Sequence, residues 1–85
     1  MSILYTIEMS VTTLSTINDI PKRLKHNGKY YNLFNVSMNQ NNAKEIIKSH
    51  AGKIGDVGKM YNILKVFSVY GRNFYAVYWR FQYKK

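Results

Sequence analysis

The chain predicts an α+β fold: an antiparallel sheet of about four strands with a single helix packed on one face, in ββαββ order. Three observations carry this expectation. Met60–Tyr70 and Asn73–Tyr83 are both rich in β-branched and aromatic residues, and Gly71-Arg72 lies between them. A Gly-X pair in that position reads as a β-hairpin with a two-residue type II′ turn. Ile3–Val11 alternates apolar and polar residues with period two, the pattern of a half-buried strand. Only Asn39–Ala51 repeats its apolar residues with the period of a helix.

The elements follow in order. After the first strand, Thr12–Asn18 is polar and irregular, a loop. Asp19-Ile20-Pro21 suits a helical turn, with Asp19 as N-cap and Pro21 in the first turn. Asn27-Gly28 is a type I′ hairpin signal, with Arg23–His26 and Lys29–Val36 as its arms. The firm part of the second arm is expected from about Tyr30 to Ser37. In the helix, Ala43, Ile46, Ile47, His50 and Ala51 form one stripe. Asn42 and Glu45 resemble a capping box, and Gly52 is placed to be a left-handed C-cap. Gly52–Gly58 is a glycine-rich connection to the final hairpin.

Composition narrows the function. Eighty-five residues make one domain, 1–85, with a small core. There is no cysteine, so neither a disulfide nor a thiolate metal site is available. The N-terminus lacks a basic segment followed by an apolar run, and no stretch approaches the ~18 apolar residues of a membrane span. A soluble, cytoplasmic protein is expected. Thirteen Lys and Arg stand against four Asp and Glu, for a net charge of +9. That excess favours polyanionic partners. Abundant Asn, Lys, Ile and Tyr with little Ala or Pro fits an AT-rich genome, as in many viruses and plasmids.

Motifs for catalysis are weak. The stretch Gly52-Lys-Ile-Gly55-Asp-Val-Gly58-Lys59 suggests a phosphate loop. Its spacing is one residue too long, Met60 stands where Ser or Thr would hold magnesium, and it follows a helix rather than a strand. The GxxG loop of a KH module would need a second helix. His26 and His50 are the acid-base candidates near neutral pH, useful only if they converge in one cleft. The acids Glu8, Asp19, Glu45 and Asp56 fall in four separate segments, which argues against a magnesium site. No cofactor and no metal are expected.

Recognition residues are more promising. With Tyr70 paired to Asn73, one hairpin face carries Met60, Leu64, Val66, Tyr75, Val77, Trp79, Phe81 and Tyr83 and reads as core. The other mixes aromatics with Lys65 and Arg80. If that face is open, Phe67 and Tyr78 are placed to stack bases, while Lys65 and Arg80 hold phosphates. Arg72 adds charge at the hairpin, and Lys22, Arg23, Lys25 and Lys29 surround the Asn27-Gly28 turn. The logic is that of an RNA-recognition sheet, without its octapeptide motif or second helix. The expectation is a small, non-enzymatic protein that binds DNA or RNA. The alternative is a protein-interaction module, monomeric or homodimeric, that docks on an acidic surface or adds a strand to a partner. In that case the same aromatics are buried under another element or a second subunit.

Overall fold

The computed structural model describes residues 5–54 and 56–83. It is an α+β domain with one α-helix among the described residues. Its elements are β1 (Tyr5–Leu14), a 3₁₀ turn (Ile17–Asp19), β2 (Arg23–His26), β3 (Lys29–Ser37), α1 (Gln40–His50), β4 (Gly52–Ile54), β5 (Gly58–Val69) and β6 (Arg72–Tyr83). The sheet runs β1-β5-β6-β3-β2, and β4 extends the β1 side of β5.

The expected all-antiparallel ββαββ sheet is corrected to a mixed one. β1 runs parallel to β5, from Tyr5 opposite Asn62 to Leu14 opposite Val69. The reason lies in the helix. α1 returns the chain, so β5 runs in the same direction as β3, and β6 then fills the place between them. The free edge of β5 goes to β1, which points the same way. Turn signals specify the local hairpins and say nothing of this long-range pairing.

Both hairpin turns are type I′. Asn27 and Gly28 have φ of 51° and 78°, as expected of an Asn-Gly turn. At the second hairpin the loop is Tyr70-Gly71, with φ of 52° and 75°, and Val69 pairs with Arg72. The turn therefore sits one residue earlier than expected and is not type II′. Each strand slips by one residue relative to that expectation, so the parity of the pairing survives. Every side chain stays on its assigned face.

The helix is capped by Asn39, whose side chain accepts from the amides of Asn41 (2.8 Å) and Asn42 (3.2 Å). It ends at Ala51 in extended conformation, and Gly52 enters β4 rather than forming a left-handed cap. Ala43 and Ile47 are fully buried against Leu64, Val66 and Val77. This is the convex side of the sheet.

The concave side holds a second core. Ile63 and Phe67 of β5, Ala76 and Tyr78 of β6, Tyr31 of β3 and Ile20 pack together. Bulges between Glu8 and Val11 and between Leu33 and Asn35 bend the strands. The curl brings the two ends of the strand order together: Glu8 of β1 accepts from His26 of β2 at 3.2 Å. The expectation of an open face at Phe67 and Tyr78 is thereby overturned. Phe67 is 4 % exposed and Tyr78 0 %. The Tyr78 hydroxyl donates to the Pro21 carbonyl at 2.6 Å, and burial pushes its pKa up to about 12.

Candidate nucleic-acid interface

The convex face is longer than its cover. β5 and β6 have twelve residues each, ~40 Å of strand. The eleven residues of α1 span only ~16 Å. The helix shields Leu64, Val66 and Val77 and leaves the end formed by the start of β5, the end of β6 and the β2–β3 hairpin.

Register places the uncovered side chains. Arg23 lies opposite Asn32, and Asn32 opposite Trp79, so one row crosses β2, β3 and β6. Alternation puts Tyr30 and Lys25, which face each other, and Phe81 and Tyr83 on the same side. Arg23, Tyr30, Asn32, Trp79, Arg80, Phe81 and Tyr83 line a shallow groove of about 540 Å³, and Lys25 stands beside it. Tyr30 is 52 % exposed and Tyr83 72 %. The Arg23 guanidinium sits 4.0 Å from the centroid of the Tyr30 ring, and the Lys25 ammonium 5.5 Å. Phe81 and Tyr83 meet edge to face at 4.8 Å. Beside the groove, Phe34 stacks on His50 with centroids 4.4 Å apart.

Among the described residues, no carboxylate lines this groove. Glu8 is on the concave face, bound to His26 and to Lys65 at 3.3 Å. Asp19 accepts from the Thr16 amide at the 3₁₀ turn. Glu45 is on the helix flank facing β3, and Asp56 is in the turn before β5.

The site residues expected from sequence divide into three groups. Phe67 and Tyr78 are buried in the concave core, where no base can reach their rings, so they are withdrawn as stacking residues. Lys65 is tied to Glu8, and the Arg80 side chain stays on the concave side, over Tyr61. Arg72 begins β6, at the end of the strand far from the groove. The basic turn is exposed as expected: Lys22, Arg23, Lys25 and Lys29 all face solvent. Of these, Arg23 and Lys25 border the groove, while Lys29 pairs with His26 and shares its side. His26 and His50 do not converge, because the sheet lies between them.

Of the groove residues, Tyr30 and Asn32 are not among the candidates the sequence offers, and Trp79, Phe81 and Tyr83 all belong to the hairpin face expected to be core. The signal that would have found them is the mismatch of strand and helix length. Among the described residues, no three His, Cys, Asp or Glu side chains gather, and no helix is long and apolar enough to cross a membrane. No family model, curated protein or solved structure matches the chain.

Proposed function

We propose that the protein binds nucleic acid by laying a single strand across the uncovered end of its convex face. One observation carries the reading: Tyr30, Trp79, Phe81 and Tyr83 share a groove bordered by Arg23 and Lys25, with no carboxylate among the described residues of its lining. Aromatic faces stack bases of any sequence, and flanking cations hold the backbone. A duplex hides its base faces, so a single strand fits this surface better. Asn32, in the row between Arg23 and Trp79, offers an amide that can meet a base edge. The role is binding; no reaction is assigned.

Trp79 is the chain's only tryptophan, so its fluorescence reports directly on the groove. Single-stranded RNA or DNA should quench it at low salt, more strongly than duplex, and the effect should fade as salt rises. Absence of quenching by every nucleic acid at low salt would refute the reading.

One feature favours the protein-partner alternative. Met9 and Val11 are half-exposed on the edge strand β1, and that strand carries no Lys or Arg. An edge strand without Lys or Arg suits strand addition by a partner or by a second copy. Concentration-dependent sedimentation, which a monomer would not show, tests self-association.

A further inference from the structure

The concave side is filled by Phe67, Tyr78 and Ile20 along most of its length, but its lower mouth is built differently. Arg80 stands there. Its guanidinium lies 4.3 Å from the centroid of the Tyr61 ring and 5.5 Å from that of Tyr31. One terminal nitrogen, Nη1, donates to Gln82 Oε1 at 3.0 Å. The Nε atom is buried and has no acceptor.

No carboxylate among the described residues pairs with Arg80. The ion pairs found on this face both belong to Glu8, whose two oxygens are taken by His26 and Lys65. The neighbours along the rim add positive charge. Lys59 lies opposite Gln82 and Lys29 opposite His26, so both project from the same side of the sheet as Arg80. A cation partly withdrawn from water without a countercharge is an unfavourable arrangement. The two rings and Gln82 also hold its planar fork still, so little freedom remains to be lost when an anion arrives.

We propose that this mouth is an anion site whose ligand is a phosphate group, gripped by the Arg80 fork and flanked by Lys59 and Lys29. A phosphate offers more charge and more acceptor oxygens than a carboxylate, which suits several cations on the same side of one rim. The site is independent of the groove reading. Alternation along β6 puts the Arg80 guanidinium on the opposite face from Trp79 and Phe81. The phosphate can come from a nucleic-acid backbone passing round this end of the sheet, or from a small phosphate compound.

The test follows the Arg80 Nε–H resonance in ¹H–¹⁵N spectra of the intact wild-type protein. Inorganic phosphate, a 5′-mononucleotide and a short single-stranded RNA are added separately, against sodium chloride of matched ionic strength. Phosphate should move this resonance saturably, and chloride should not. If the RNA also moves it, the backbone is the source; if only the small compounds do, a free phosphate compound is the ligand. Arg80→Lys keeps the charge and loses the fork, and should bind phosphate about tenfold more weakly. Trp79→Ala should leave the phosphate response unchanged, so a failure of the groove is separable from a failure of this site. An Arg80 resonance that phosphate moves no more than chloride does, or an Arg80→Lys variant that binds phosphate as well as wild type, would overturn the proposal.

Discussion

Replacing Tyr30 with alanine is the most direct challenge to the groove. The residue is half-exposed, sits on a strand held by β2 and β6, and contributes to neither buried core. Its loss should therefore spare the fold, with a stability change within about 0.5 kcal/mol. Binding is another matter. The Arg23 guanidinium and the Lys25 ammonium lie over the ring, which still leaves it half-exposed and within reach of a base. Loss of one stacked base is worth about 1–3 kcal/mol, or roughly 5- to 150-fold in affinity. Because Tyr30 bears no charge, the dependence on salt should barely change. If Arg23, Lys25 and their neighbours neutralise about two to four phosphates of a single strand, log K against log salt should slope about −1.5 to −3. Arg23→Ala should reduce that slope by about 0.7, whereas Tyr30→Ala should not. Trp79 quenching, titrated at several salt concentrations, measures both quantities. Tyr30→Ala with wild-type affinity would refute stacking in this groove. Arg23→Ala with an unchanged slope would refute its contact with the backbone.

Three further outcomes test the fold. Ile47→Ala empties a fully buried site between the helix and the sheet and should cost about 2–4 kcal/mol in chemical denaturation; a loss under half of one would show that the helix stripe is not core. Tyr70 occupies a left-handed conformation in a type I′ turn, so Tyr70→Asn should raise stability by about 0.5–1 kcal/mol, seen as a higher melting temperature. Tyr78 should make stability sensitive to alkali. Its folded pKa, about 12, lies above the ordinary value of 10.0, so the unfolded chain ionises first. Stability should hold below pH 10 and fall as pH rises towards 12, by about 3 kcal/mol at most. Tyr78→Phe should remove that alkaline loss, and equal alkaline sensitivity in the two proteins would show that another group is responsible.

What the sequence disclosed follows from the range of the forces involved. The Asn27-Gly28 turn, the helix and the sorting of the final hairpin into two faces depend on residues close in the chain, and all were readable. Tyr70-Gly71 escaped because Gly71 supplies a positive φ in either turn type, and only pairing decides which. The parallel alliance of β1 with β5 escaped because it joins residues 55 to 57 positions apart and is selected by burial of Ile63, Leu64 and Val66. Phe67 and Tyr78 looked like an exposed pair because a strand pattern cannot tell a surface from a second core. What covers them is Ile20 and the curl of β3, neither of which the hairpin encodes. The separation of the hairpin into two faces holds: Leu64, Val66 and Val77 are core as expected, while Phe67 and Tyr78 of the other face lie in a second core.

Charge supplies the remaining logic. Every Lys and Arg of the chain lies at or after Lys22, so β1 and the loop that follows it contribute only Glu8 and Asp19. Arg23, Lys25, Lys29, Lys59 and Arg80 all fall near one end of the sheet, where the β2–β3 turn meets the start of β5 and the end of β6. A protein polarised in this way approaches a polyanion with that end first, because the long-range field orients it before any contact forms. The groove on the convex face and the Arg80 mouth on the concave face are both presented by that one approach. A strand bound on one face has only to pass round the end of β6 to reach the other. Tyr30→Ala and Arg80→Lys, made singly and together, decide whether one ligand uses both. Additive losses in binding energy mean two independent sites. A double variant that loses no more than the worse single one means a strand that must engage both faces to be held.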